Sequence, residues 1–192
     1  MKRIALAVAL LVSVAGPVWA GYAEGFAAIK RGDYGVALRE IKPLAEQGHA
    51  DAQVALGLMY FLRYGVPKDD AKAVKWYRRA AERGNARGQN FLGLSYHLGG
   101  GVPRDLAEAA RWYRLAAEQG LSGAQSSLGR MYAKGLGLPQ DYAQAHLWLD
   151  LAAMRGHDDA RKRRERIAKE MTPAQIAEAQ RLAGEWAPTP AQ

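Results

Sequence analysis

Residues 89–120 read QNFLGLSYHLGGGVPRDLAEAARWYRLAAEQG, and the same arrangement of residue types recurs 36 positions before and 36 positions after this stretch. In each copy a Gln is followed by a Gly and a Tyr, then by a Gly-x-Pro turn, an Asp, and a segment rich in Ala and Trp. A fixed period of this length indicates a repeat protein, in which each unit buries its apolar face against its neighbours.

Each unit is predicted to hold two helices joined by the Gly-x-Pro turn. The second helix carries Ala, Trp and Ala at offsets i, i+3 and i+7, which place them on one buried face. The Asp after each turn is placed to cap this helix, because its carboxylate accepts from the exposed N–H groups of the first turn. A glycine, in the left-handed conformation, is predicted to end it. The capping residues are Asp69, Asp105 and Asp141, and the closing glycines are Gly48, Gly84, Gly120 and Gly156.

Two sets of repeated residues are predicted to be scaffold. A glycine inside a helix costs roughly 0.5–1 kcal/mol relative to alanine. We therefore expect the helical glycines to make room for a neighbouring aromatic ring. The tryptophans could form a ligand-binding ladder, but their alanine-flanked spacing favours core packing. The two sets are Gly57, Gly93 and Gly129, and Trp76, Trp112 and Trp148.

The repeats begin before the first tryptophan of the series. Asp33 and Gly48 stand 36 residues before Asp69 and Gly84, although Glu40 takes the place of the tryptophan. Helices are predicted over 22–31, 34–47, 50–63, 70–83, 86–98, 106–119, 122–134, 142–155, 157–170 and 173–185. The predicted organisation is a signal segment (1–20), a degenerate helix pair (21–48), repeats at 49–84, 85–120 and 121–156, capping helices that depart from the repeat (157–187), and a disordered tail (188–192).

The N-terminal residues resemble a secretory signal. Lys2 and Arg3 precede an apolar run, and a Gly-Pro break leads to small residues before Gly21. The alternative is an uncleaved anchor, but the apolar stretch is shorter than the roughly 20 residues of a spanning helix. The prediction is cleavage between Ala20 and Gly21 and a periplasmic or secreted protein.

Composition narrows the partner class. The chain has no cysteine, which excludes disulfides, thiolate metal sites and a cysteine nucleophile. Removal of Lys2 and Arg3 would leave 25 basic and 19 acidic residues, a net charge of +6. Because an exported protein rarely meets nucleic acid, this charge favours an acidic partner or an anionic envelope surface over nucleic acid.

The combined pattern, Ala-Gln-x-x-Leu-Gly-x-x-Tyr, then Gly-Val-Pro-x-Asp, then Ala-x-x-Trp-Tyr-x-x-Ala-Ala-x-x-Gly, resembles the Sel-1-like repeat, a relative of the tetratricopeptide repeat. The resemblance covers residues 33–156. It implies an all-α, right-handed solenoid of antiparallel helix pairs whose first helices line a concave surface. It also implies protein–protein recognition in bacteria, often by periplasmic regulators or host-interaction factors. Arg63 departs from the pattern, since the other units have Gly99 and Gly135 there.

No residue pattern supports catalysis, a cofactor or a metal, so the expectation is a non-enzyme that needs none of them. The four histidines fall at unrelated places and form no i, i+4 pair with one another. The glycines at 99–101 are an inter-helix turn, because no Gly-Lys-Ser/Thr follows them. The competing function class is a hydrolase acting on cell-wall or β-lactam substrates.

Specificity is expected at the positions of the first helices that vary between units. These positions lie about 100° round the helix from the repeated stripe. We predict that they line the concave groove and bind a peptide or protein partner, with Leu58 and Phe61 as apolar anchors. Packing against the next helix is the alternative. The predicted row is Val54, Leu58, Phe61, Asn90, Leu94, His97, Ser126, Arg130 and Ala133.

A dense basic run occupies residues 161–169, interleaved with acidic residues. The default interpretation is a solvated outer face, and the alternative is an envelope adaptor that touches an anionic cell-wall or membrane surface. The residues proposed for that contact are Arg161, Arg163, Arg164 and Arg166. We expect a monomer.

Overall fold

The computed structural model describes residues 15–186, and this part of the chain consists of ten α-helices without a β-strand. The helices are α1 (Ala15–Arg31), α2 (Tyr34–Glu46), α3 (Ala50–Leu62), α4 (Asp70–Glu82), α5 (Ala86–Leu98), α6 (Leu106–Glu118), α7 (Ser122–Lys134), α8 (Tyr142–Met154), α9 (Asp158–Ala168) and α10 (Pro173–Glu185).

The predicted all-α solenoid of helix pairs is confirmed, and most helix bounds agree to within one residue. The largest difference is at α1, which begins at Ala15 rather than at residue 22 and so runs across the predicted cleavage point. Pro17 lies in its first turn, where proline is tolerated because the N–H it lacks has no partner there. The start of the predicted signal, residues 1–14, and the predicted tail lie outside the described residues.

The helix starts are set by local hydrogen bonds. The predicted aspartate caps are confirmed, for example at Asp105, whose Oδ1 accepts from the N–H of Glu108 at 3.0 Å. The prediction that the histidines fall at unrelated places is wrong for two of them, because His49 and His157 occupy the same position of the repeat, three units apart. Both cap a first helix through Nδ1, which accepts a backbone N–H at 3.3 Å in each case.

The repeated glutamines connect successive units. The Gln125 amide donates to the carbonyl of Ala117 at 3.0 Å, and Gln53 does the same to Ala45 at 3.1 Å. These carbonyls lie in the last turn of the preceding helix, and each accepts the N–H of the closing glycine, Gly48 or Gly120, as well as the glutamine amide. Because the glutamines are buried, each bond fixes a first helix against the end of the helix before it.

The helical glycines make room for side chains of the following helix. A Cβ at Gly57 would lie 2.5 Å from the Tyr77 ring, and one at Gly93 would lie 3.0 Å from the Tyr113 ring. The predicted role is thus confirmed in two units. In the third unit, Gly129 faces Leu149 instead of a ring.

The turn glycines bring neighbouring units into backbone contact. Gly101 has φ +75°, and a Cβ there would collide with the backbone carbonyl of Asp70, the first residue of α4. Gly65 and Gly137 make the same approach to the first residues of α2 and α6. Each turn therefore rests on the start of the second helix of the preceding unit.

The first helices lie on the inner side of the array. Among the described residues, the first helices contact one another in two places, α3 with α5 and α7 with α9, whereas the second helices α2, α4, α6 and α8 make no comparable contact with one another. The α9 helix thus occupies the position of a fourth first helix, although it lacks the Gln, Gly and Tyr of the motif. The last helix, α10, packs on α8.

The core lies between the first and second helices of the units, and both contribute fully buried side chains to it. Trp112 and Trp148 are buried, as predicted, while Trp76 is half-buried beneath the guanidinium of Arg79. Trp186, after α10, meets Trp148 edge to face with ring centroids 6.2 Å apart. Within residues 15–186, no helix is both long and apolar enough to cross a membrane.

Candidate partner-binding grooves

Two depressions on the inner side lie at equivalent places in the array. The N-terminal groove lies between α3 and α5 and is lined by Phe61, Tyr77, Phe91, Leu94, Ser95, Leu98 and Gly100. The C-terminal cleft lies between α7 and α9 and is lined by Arg130, Ala133, Lys134, Tyr142, Leu149, Arg163, Arg166, Ile167 and Glu170. A shift of two repeat lengths carries most of the first set onto the second.

The N-terminal groove is shallow and apolar. Its enclosed volume is about 20 Å³, and its walls are aromatic and aliphatic. Phe61 is 37% exposed and Leu98 is 63% exposed, so both present apolar surface to solvent. The Phe91 ring stacks on Tyr77 with centroids 5.1 Å apart, which holds the floor of the groove in place.

The C-terminal cleft is larger and charged. One cavity of about 180 Å³ adjoins a second of about 190 Å³, and Arg130 and Arg163 line both. The second cavity extends along the start of α7 and α9 to Ser126 and His157. Arg163 pairs with Asp159 at 2.6 Å, and Tyr142 donates to Glu170 at 3.1 Å.

The predicted row of variable residues is only partly on this surface. Phe61 and Leu94 line the N-terminal groove, and Ser126, Arg130 and Ala133 line the C-terminal cleft and its extension. The remaining four line neither: Val54 is buried, while Leu58, Asn90 and His97 are half-buried. The structure therefore divides the row between two separate surfaces.

His97 lies near the positive charges of the inner side. Burial lowers the pKa of the His97 imidazole, and the charges of Arg130 and Arg104 lower it further. The His97 side chain is therefore harder to protonate than a free imidazole. Its Nδ1 is buried without a hydrogen-bond partner among the described residues.

The basic residues of α9 separate into different environments. Arg163 and Arg166 face the C-terminal cleft. Arg164 pairs with Asp150 and so ties α9 to α8, while Arg161 pairs with Asp158 on the exposed side at 2.8 Å. The four arginines do not form one patch, and sequence reasoning did not anticipate that two of them join Arg130.

Sequence reasoning also missed residues in both depressions. Phe91 and Leu98 flank the predicted Leu94 at i−3 and i+4, a helical apolar stripe that is visible in the sequence. Lys134 and Glu170 had no such signal, because they belong to segments of the chain that meet only after folding. Among residues 15–186, no group of three or more His, Asp or Glu side chains is placed to hold a metal ion.

Comparisons with known proteins agree with this architecture. The Sel1 repeat model matches residues 50–85, 86–121 and 122–157. A protective antigen present in uropathogenic Escherichia coli strains, displaying an SLR fold, is 41% identical over 77% of this chain and 32% of that protein, with a TM-score of 0.72. A Sel1 repeat protein from Oxalobacter formigenes is 34% identical over 72% of this chain and 57% of that one, with a TM-score of 0.69.

A third solved structure shares the fold. Helicobacter pylori cysteine rich protein B is 23% identical over 67% of this chain and 92% of that protein, with a TM-score of 0.54. The chain spans about a third of the length of the E. coli protein, and no curated protein matches its sequence. Sel1 repeat proteins are typically protein-interaction scaffolds. Because three consecutive repeats match over more than half of its length, the chain belongs to the Sel1 repeat family.

Proposed function

We propose that this protein is a non-catalytic scaffold of the bacterial cell envelope that binds a peptide or protein partner on the inner side of its helical array. The observation that carries the proposal is the N-terminal groove. Phe61 and Leu98 leave apolar surface exposed there, although the core has buried comparable side chains elsewhere. Exposed apolar residues grouped round a recess are typical of interaction sites.

The geometry suits an anchored side chain better than an enclosed small molecule. An enclosed volume of about 20 Å³ is far below the roughly 300 Å³ or more of ordinary ligand pockets. A partner helix or extended segment can lay an apolar residue across Phe61 and Leu98 while it contacts the rest of the inner side.

The location is part of the same proposal. The positive, apolar and small-residue regions of residues 1–20 favour export and cleavage before Gly21. Cleavage there would leave Gly21 to Arg31 of α1, with Ala28 buried against α2 and α3. N-terminal sequencing of protein recovered from the periplasm tests the export and the cleavage point.

A pull-down from an envelope extract tests the binding. We expect the double variant Phe61→Gln with Leu98→Gln to lower recovery of the partner about tenfold, since buried apolar anchors dominate such interfaces. The matched control is Met154→Gln, which removes an apolar side chain that is 77% exposed and lies outside both depressions. Undiminished recovery by the double variant, with an unchanged helical spectrum, would contradict the proposal.

A further inference from the structure

We infer that the C-terminal cleft is an acidic-peptide site, in which aspartate or glutamate carboxylates of the partner enter between α7 and α9. The inference rests on the proposed function and names the chemistry of the partner. Arg130, Lys134 and Arg166 line this cleft, and among the described residues none of them forms an ion pair or donates a side-chain hydrogen bond.

Arg130 is the residue that most favours an anionic ligand in this cleft. It is half-buried, and its Nε is fully buried without a hydrogen-bond partner. A buried polar group that lacks a partner costs free energy, and the cost is larger for a charged group. A carboxylate in the adjoining cavity would accept hydrogen bonds from this guanidinium and balance its charge, and two oxygens suit its planar geometry.

The charges around Arg130 add to its field. Arg163 lines both cavities beside Arg130. It forms an ion pair with Asp159, which lines the second cavity. Glu170 is the other acidic residue of the lining and accepts a hydrogen bond from Tyr142. Four basic side chains against two acidic ones leave the site positive.

The shape of the site selects a peptide over a lipid surface. Arg130 and Arg163 are half-buried in the walls between two helices. A flat membrane contacts exposed side chains such as Arg161 and Lys162, and half-buried side chains are less accessible to it. Cavities of about 180 and 190 Å³ have room for a glutamate or aspartate side chain.

The test uses the purified full chain and a labelled hexaglutamate peptide, with hexaglutamine as the uncharged probe. We expect binding of hexaglutamate only, weakened about tenfold by Arg130→Gln with Arg166→Gln. The control double variant, Arg161→Gln with Lys75→Gln, loses the same charge outside the cleft. It should change affinity less than about twofold. Arg166→Gln alone replaces an exposed side chain, so its weaker binding would report the cleft without a folding defect.

Two results would overturn the inference. Equal losses of affinity in the two double variants would mean that hexaglutamate binds through the overall charge of the protein and not at the cleft. The second result is displacement of hexaglutamate by phosphatidylglycerol vesicles, together with loss of vesicle binding in the Arg130→Gln, Arg166→Gln variant. That result would show that the cleft binds lipid. The proposed function is judged separately: it fails if the pull-down shows no dependence on Phe61 and Leu98, even where hexaglutamate binds as expected.

Discussion

The N-terminal groove and the C-terminal cleft are built from the same positions of the repeat. Phe91 and Leu94 form one wall of the groove, and Arg163 and Arg166 stand at the equivalent positions of the cleft, two units later. Tyr77 on the groove floor corresponds to Leu149 in the cleft. Since the backbone arrangement recurs, the change from apolar to basic is made by side chains alone.

This comparison separates two kinds of position. The repeated Gln, Gly, Asp and Ala residues hold the helices together, because they pack closely or form hydrogen bonds with the backbone. The positions on the inner side of the first helices are only partly buried, and their chemistry varies from Leu94 to Arg130 to Arg166 at equivalent positions of the repeat. A partner that fills both depressions would present apolar residues to one end and carboxylates to the other.

The largest effect is expected from breaking the scaffold that both depressions share. Gly101→Ala should lower the free energy of unfolding by about 3 kcal/mol, through a left-handed backbone and a clash with the Asp70 carbonyl. Urea denaturation measures it. Gly100→Ala is the matched control, because a Cβ there meets nothing within 4 Å. Equal stabilities of the two variants would show that the turn does not rest on the preceding unit.

A second prediction concerns the tyrosines that the third unit replaces with Leu149. Burial raises the pKa of Tyr113 from 10.0 to about 12. The unfolded chain therefore loses the phenolic proton first as pH rises. Stability is fully present below pH 10 and should fall by about 2 kcal/mol towards pH 12. Urea midpoints measured across this range should fall less in Tyr113→Phe, and an identical decline would contradict the burial of this hydroxyl.

A third prediction concerns the repeat position that holds Leu58, Leu94 and Arg130, where the apolar groove and the basic cleft differ. Arg130→Leu places in the third unit the residue that the other two have, Leu58 and Leu94. It removes the unpartnered Nε, so the free energy of unfolding should rise by about 1–2 kcal/mol. Thermal unfolding measures the gain. The reverse exchange, Leu94→Arg, should be destabilising, and a gain in that variant would mean that the register tolerates either residue.

The smallest effect is expected at Arg63, where the first repeat departs from the other two. Arg63 has φ 66°, a conformation that the other units assign to Gly99 and Gly135. Arg63→Gly should therefore raise the free energy of unfolding by about 0.5–1 kcal/mol. Lys75→Gly, in the exposed middle of α4, is the control and should lower it by about 1 kcal/mol. Calorimetry compares both, and a loss at Arg63 would show that its side chain contributes more than its backbone strain costs.

Much of the fold could be predicted because its determinants are local. The aspartate caps, the closing glycines and the Gly-x-Pro turns act within a few residues, so the helix bounds followed directly from the pattern. The capping role of His49 and His157 was also available from their shared position in the repeat, where Asn85 caps its helix as well and only Leu121 has no capping side chain.

The candidate site was less accessible from the sequence. The apolar stripe through Phe91, Leu94 and Leu98 follows helical spacing and could have been found. The meeting of Arg130 with Arg163 and Arg166 was harder to find, because α9 lacks the Gln, Gly and Tyr of the motif and matches the repeat only at a few positions such as His157 and Ala160. Its hydrogen-bonded start at His157 and the buried Ala160 and Ile167 place it there.

The sequence by itself determined the period of the array, the two-helix unit and the bounds of most helices, because short-range caps, turns and periodic apolar faces encode them. Only the tertiary structure decided which variable side chains face one another across the inner side. Contacts between helices of adjacent units depend on the angle through which each unit is rotated relative to the unit before it. The packing between the two units sets that angle. For this reason Arg164 forms an ion pair with Asp150, while Arg163 and Arg166 line the cleft together with Arg130.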